Sequence, residues 1–253
     1  MQEFSEAYRF TAQVEQAYAC MMRRFSSHVP QGAEPGLGGR LFYAGLLDEA
    51  GRTFVVAGNV AGAAILTVTA DTEAQKAAIR DGVVDFLVTS LDEALRILKN
   101  EVRKGDAVAV CVGLEPEVVE REMASRGVVP DLTRDTVLGS IGASADRAVR
   151  VSWHVGVLPA KWLPQLDALA LECQAAEAGV ARRWLRLAPR YLGRMARSER
   201  LLVGDSAFAA CFVKRLRYKV EQAEIAIPVM IRLCDANGCE EHIFAPASES
   251  LAG

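Results

Sequence analysis

The chain predicts an α/β fold: a Rossmann-like parallel sheet of about five strands flanked by helices, followed by a C-terminal helical region and a β-hairpin. Three observations carry this reading. Between Gly39 and Thr136, short runs of β-forming residues alternate with runs of helical periodicity. Each run of β-formers ends in small or acidic residues, the composition of strand-to-helix turns. Beyond Thr136 the alternation stops, and Asp235-Ala236-Asn237-Gly238 supplies the hairpin, because Asn-Gly accepts the positive φ values of a primed turn.

Residues 3–26 place Phe4, Tyr8, Phe10, Val14, Ala17, Met21 and Met22 roughly on one helical face. Pro30, Gly32, Pro35, Gly36, Gly38 and Gly39 then forbid regular structure as far as residue 39. Arg40–Ala44 is the first strand. Thr53–Gly62 mixes strand formers with a helical stripe and is read as a crossover helix, since parallel neighbours need a connection of about a dozen residues. Ala63–Thr69 is the second strand, ended by Asp71, and Thr72–Arg80 a helix. Val83–Val88 is the third strand. Leu91–Arg103 is a helix started by Ser90 with Glu93 in capping-box position. Ala107–Val112 follows as a strand. The next helix opens at Pro116, whose missing N–H costs nothing there, and closes at Gly127. Val128–Leu132 is the fifth strand. Further on, Gly139, Gly142, Ala143 and Ser144 form a turn, Ala148–Val155 a strand and Lys161–Ala178 a helix. A basic helix from Val180 should kink or stop at Pro189. Glu224–Leu233 and Cys239–Phe244 are the hairpin strands. The expected organisation is an N-terminal helix and linker (1–38), an α/β core (39–147) and a C-terminal extension (148–253) on the same domain.

With 253 residues, 51% of them hydrophobic, the chain has enough apolar surface for one large or two modest cores. No apolar run reaches the ~18 residues of a membrane span, and residues 1–24 have no signal-peptide core, so the expected setting is cytoplasmic and no membrane partner is expected. The cysteines (Cys20, Cys111, Cys173, Cys211, Cys234, Cys239) include no C-x-x-C pair, and no metal site is expected. Cys234 and Cys239 flank the hairpin turn and could bridge it, but in a reducing compartment they are expected as thiols. His154, among apolar residues, reads as a hydrogen-bonded core histidine. No G-x-S-x-G nucleophile elbow occurs.

The net charge of −3 is unevenly distributed. Eleven basic residues lie between Arg182 and Lys219 against Glu199 and Asp205, so this segment carries +9 and the remainder −12. Such a segment is a solvated face, a docking face for a second copy of the chain, or a site for another acidic partner; nucleic acid is the less favoured partner.

Parallel sheets bind ligands at the carboxyl ends of their strands. Gly45 and Gly51 flank the first strand-to-helix turn. Asp71 stands where such folds place a carboxylate on a ribose, although an N-cap explains it equally well. Gly113, Thr133 and Asp135 end the fourth and fifth strands and complete the set of candidate binding residues. No catalytic residue is assigned.

Two stretches carry a family resemblance. Asp71, Gly82, Val84-Asp85 and Ser90–Leu95 form one; Gly113, Arg126-Gly127-Val128, Pro130-Asp131-Leu132 and Thr133-Arg134-Asp135-Thr136 form the other, the last standing where the family has T-D-Q-T. In these the chain resembles the central Rossmann-like domain of urocanases (urocanate hydratases), which hold NAD⁺ and use it as an electrophile towards the substrate imidazole. The resemblance therefore implies NAD⁺, but the residues disfavour it. Where the family has A-G-L-G-G-M-x-G-A-Q, this chain has Ala44-Gly45-Leu46-Leu47-Asp48-Glu49-Ala50-Gly51-Arg52, and Asp48 and Glu49 would repel a pyrophosphate. The family's G-N-N-x-R and F-C-R-G segments do not occur, so urocanase activity itself is not expected. The expected function is the binding of a small anionic metabolite or nucleotide at the strand ends. Two alternatives are a sugar-phosphate isomerase-like enzyme, loosely similar at Gly38–Tyr43 and Lys104–Val108 but without its phosphate loops, and a non-enzymatic protein that interacts through the basic 182–219 segment.

Overall fold

A computed structural model describes residues 6–25, 34–141, 148–174 and 178–246. Pro30, Gly32, Gly142, Ala143 and Ser144, read above as loop or turn, lie outside the described residues, as do the expected helix end beyond Gln174 and residues 3–5 and 26 of the first helix. The chain forms two compact units, Met1–Ala143 and Ser144–Gly253. Among the described residues no helix is long and apolar enough to cross a membrane.

The first unit contains α1 (Glu6–Phe25), β1 (Leu41–Leu46), α2 (Glu49–Ala61), β2 (Ala64–Val68), α3 (Thr72–Arg80), β3 (Phe86–Val88), α4 (Leu91–Lys104), β4 (Val108–Val112), α5 (Pro116–Ser125), β5 (Leu132–Thr133) and α6 (Arg134–Ile141). Its five strands are parallel, in the order β3-β4-β2-β1-β5. Every residue of β2 and β4 is buried, as a sheet covered on both faces requires. On one face Tyr43, Leu66, Val68, Val110 and Val112 pack against Leu91, Leu95 and Leu98 of α4 and Val119 and Met123 of α5. On the other lies α2, held so close that a Cβ on Gly58 would meet Ile65 at 2.8 Å and Phe42 at 3.0 Å. The β-formers Thr53, Phe54, Val55 and Val56 are helical here because burial against the sheet outweighs their intrinsic preference. Helix α1 packs on α2 and α6.

Two strands are shorter than their sequences suggest. Pro130 has no N–H to donate, and Asp131 spends its own N–H on the Leu41 carbonyl while its Oδ2 accepts from the Leu41 N–H, so only Leu132 and Thr133 pair with β1. At the third strand, Val83 and Val84 both donate to the Ala78 carbonyl and close the end of α3, leaving Phe86–Val88 for the sheet.

The second unit contains β6 (Val149–His154), α7 (Pro159–Cys173), α8 (Ala178–Leu192), a 3-10 turn (Gly193–Ala196), β7 (Glu199–Gly204), α9 (Ser206–Glu221), β8 (Val229–Asp235) and β9 (Gly238–Phe244). The sheet is antiparallel, in the order β7-β6-β8-β9. Its core centres on Trp153, whose ring lies 5.0 Å from that of Phe212. Four expectations change here. Helix α8 runs through Pro189 and ends three residues later. The basic segment also holds the strand β7 and the helix α9, so its charges are spread over four elements. The first hairpin strand begins only after Pro228, again a residue without a donor. Finally, Cys234 and Cys239 are a disulfide, not two thiols: they are paired directly opposite each other in the β8–β9 register, with Cα atoms 4.1 Å apart.

Candidate functional site

The order of the parallel sheet places β1 between β2 and β5, so the turns after β1 and β5 stand side by side at the carboxyl ends of the strands. That is where open α/β sheets accept ligands. Gly45 makes the first feature: at φ +72° it interrupts the β1–β2 register, and its carbonyl accepts from the buried Thr67 hydroxyl at 2.8 Å. Leu47 then turns inward, almost fully buried, and donates its N–H to the Val68 carbonyl at 2.8 Å.

Asp48 is the N-cap of α2. Its Oδ1 accepts from the Gly51 N–H at 2.5 Å, one of the donors that the first helical turn would otherwise present to an anion. The same oxygen lies 3.4 Å from Nη1 of Arg134, whose guanidinium also sits 5.4 Å from the Phe54 ring centroid. Gly51 is needed for a reason of its own: a Cβ there would stand 2.0 Å from the Leu46 carbonyl oxygen. The residues present therefore do not fit the pyrophosphate of NAD⁺. Leu47, Asp48 and Glu49 carry side chains where a phosphate turn needs bare backbone, and a carboxylate already holds the Gly51 N–H.

The remaining candidates are each engaged in local structure. Asp71 caps α3, accepting from the N–H groups of Glu73 (2.8 Å) and Ala74 (3.3 Å). Gly113 lies beside Gln75, whose Nε2 would be 3.2 Å from a Cβ at that position and donates to the Thr69 carbonyl at 2.8 Å. Thr133 and Thr136 bond reciprocally at the start of α6: the Thr133 N–H donates to Thr136 Oγ1 at 3.1 Å and the Thr136 N–H to Thr133 Oγ1 at 3.3 Å. Asp135 is exposed in the first turn of α6. Cys111, buried in β4, has its thiol pushed up to about 12 by desolvation and is no nucleophile. Thus Gly45, Gly51 and Thr133 belong to the turns after β1 and β5, while Asp71 and Gly113 belong to the ends of β2 and β4.

Arg134 is the residue that the set of candidates lacks. Its signal was nevertheless present, because a cation stands where the urocanase T-D-Q-T segment has an acid, and Asp48 stands in a turn that is glycine-rich in that family. Elsewhere on this unit a groove of about 760 Å³ is lined by Leu41 and Val128, with Arg96, Lys99, Arg103 and Arg126 on its rim. It lies at the amino end of β1, away from the Asp48 turn.

In the second unit the basic residues are partly committed internally. Arg200 reaches the half-buried Asp167 carboxylate at 3.3 Å, Arg215 pairs with Glu172, and Lys219 pairs with Glu224. Asp167 also accepts from Trp153 Nε1 at 3.0 Å; burial pushes its carboxyl up to about 6 despite the Arg200 charge. His154 faces Glu199 across the β6–β7 ladder and is half-buried on the strand.

A family model described as the urocanase Rossmann-like domain matches residues 14–139. The match begins within α1 and ends within α6, so it takes in the whole parallel sheet, the Asp48 turn and Arg134. Residues 14–139 of this chain are a Rossmann-like domain of the urocanase family.

Proposed function

We propose that this urocanase-like protein binds a small anionic metabolite at the carboxyl ends of its parallel strands, without NAD⁺ and without classical urocanase activity. The observation that carries the reading is the Asp48 carboxylate, which accepts from the Gly51 N–H and stands beside Arg134. Those two donors are an anion seat in which the chain's own carboxylate is the occupant. Exchanging one carboxylate for another leaves the hydrogen-bond count unchanged, so a ligand carboxylate or a single phosphate is of the right size and charge. A dinucleotide pyrophosphate is not, because it needs several bare N–H groups and the room that glycines give. No catalytic step is assigned to these residues.

Calorimetric titration of the full chain tests this with NAD⁺, NADH, short dicarboxylates and phosphomonoesters at millimolar concentration. NAD⁺ and NADH should give no heat, whereas a dicarboxylate or phosphomonoester should bind. Asp48→Ala should tighten that binding by about tenfold, and Arg134→Ala should abolish it. A flat response to every anion in both wild type and Asp48→Ala would overturn the reading. So would binding that survives Arg134→Ala but disappears with Lys99→Ala/Arg103→Ala, since that would place the anion in the groove beside α4.

A further inference from the structure

The second unit holds four of the six cysteines, and they fall into two pairs. Cys234 and Cys239 are bonded across the hairpin. Cys173, the last residue of α7, and Cys211, in the second turn of α9, place their Sγ atoms 2.7 Å apart. Two unbonded sulfurs do not approach so closely; the helix packing has already converged the two Cβ–Sγ arms that a disulfide needs. The geometry is fixed from both sides. Helices α7 and α9 pack along each other, and one turn beyond Cys211 on α9, Arg215 forms an ion pair with Glu172, the neighbour of Cys173. Both thiols are half-buried, which leaves them within reach of a small reagent. The first unit offers no such arrangement. Cys20 and Cys111 are both buried, Cys20 beside the Arg23 guanidinium and Cys111 within the central strand β4.

We propose that Cys173 and Cys211 are a redox-modification site: a dithiol that closes to a disulfide joining α7 to α9 when a small disulfide of the glutathione class oxidises it. Burial, then the adjacent Cys211, push the Cys173 thiol up, so mildly alkaline conditions favour the reaction. One thiolate of the pair attacks one sulfur of the oxidant, breaks its S–S bond and releases one thiolate. The other cysteine then gives its proton to solvent, attacks the protein sulfur of the mixed disulfide and displaces the second thiolate. Two protein thiols have lost two protons and two electrons, and the oxidant has become two thiols. The new bond spans 38 positions of sequence, so it removes far more freedom from the unfolded chain than the hairpin bond, which spans five.

The test is a non-reducing peptide map of the full chain after exposure to glutathione disulfide at mildly alkaline pH, with free thiols alkylated in denaturant before digestion. The expected map shows Cys173 linked to Cys211 and Cys234 linked to Cys239, with Cys20 and Cys111 alkylated. The Cys234→Ser/Cys239→Ser variant should still form the α7–α9 link, and its Tm should rise by about 5–10 °C on oxidation. The Cys173→Ser/Cys211→Ser variant should show no such rise. Alkylated or glutathione-capped Cys173 and Cys211, in a sample where Cys234 and Cys239 are linked, would overturn the proposal. A wild-type map decides the question even if either variant fails to fold.

Discussion

The two units place their charged side chains differently. In the first, β2 and β4 carry no charged residue and are covered on both faces, the buried Glu15 lies on α1 outside the sheet, and the ion pairs of Arg52 and Arg126 lie at the surface. In the second, Asp167 and Arg200 sit among core residues, tied to each other and to the Trp153 indole, and Glu199 is held beside Ser152. A parallel sheet with helices on both sides leaves no solvated face on which to place a charge. An antiparallel sheet alternates its faces, so charged residues can enter provided that each is paired. The parallel sheet therefore depends on packing, whereas the sheet of the second unit depends on packing together with the state of the carboxylates beside it.

The sharpest way to break this contrast is at the two cores. Trp153→Ala removes one of the largest buried side chains of the second unit and strips a donor from Asp167; it should cost about 3–5 kcal/mol. Peptide-resolved hydrogen exchange should show that loss in β6, β7 and β8, with β1, β2 and β4 unchanged. Gly51→Ala is the counterpart in the first unit. With the Leu46 carbonyl in the way, α2 must shift, at a cost of about 3 kcal/mol that the same measurement should confine to the parallel sheet.

Acid sharpens the comparison next. Asp167, raised to about 6, and Glu199, also raised by burial, bind protons more tightly folded than unfolded, so they destabilise the second unit above about pH 6. That penalty is relieved as pH falls towards 4, a gain on the order of 2 kcal/mol from Asp167, opposed slightly by Asp235, whose turn N–H donors lower it. In the first unit, Asp81, Asp92 and Glu101 are lowered, chiefly by hydrogen bonds from Arg52, Arg126 and Lys104 respectively, so their contribution is present above the ordinary carboxylate range and lost below it. Exchange measured from pH 7 down to 5 should show protection rising in β6 and α7 and not rising in α3 and α4. A parallel response of both units would contradict this account of where their charges sit.

Smaller effects follow at the helix starts. Asp71→Ala removes the cap of α3 and should cost about 1 kcal/mol, seen as faster exchange at Glu73 and Ala74. At the far end of the scale, Ile243→Thr on the exposed edge strand β9 should change the chemical-denaturation midpoint by less than about 0.5 kcal/mol equivalent.

What the sequence reveals depends on how local the cause is. Ser90 caps α4 and Pro116 opens α5 because those signals act within one turn of chain, and both were legible. The crossover helix α2 was legible despite its β-formers, since only a helix could connect parallel neighbours there. The shortened β5 was half-legible: Pro130 announces the missing donor, but nothing local announces that Asp131 will bind Leu41. In the second unit, β7 was hidden because it opens on two charged residues, Glu199 and Arg200, and Arg200 is neutralised by Asp167, 33 residues away. The candidate site failed in the same way. Asp48 read as a source of repulsion because its partner, Arg134, lies 86 residues further on. The Cys234–Cys239 spacing was visible in the chain, whereas Cys173 and Cys211 meet only through the packing of two helices.

Gly51 has a practical consequence for redesign. An engineer who set out to graft a phosphate turn onto this scaffold would find position 51 already fixed by the Leu46 carbonyl, and so the glycine to be left untouched. The positions to alter are Leu47 and Asp48, and they are not equivalent. Removing the Asp48 carboxylate releases a donor at the cost of a cap, whereas trimming Leu47, which is 3% exposed, opens the core beneath the turn. The scaffold would have to be stabilised elsewhere before it could accept the new loop.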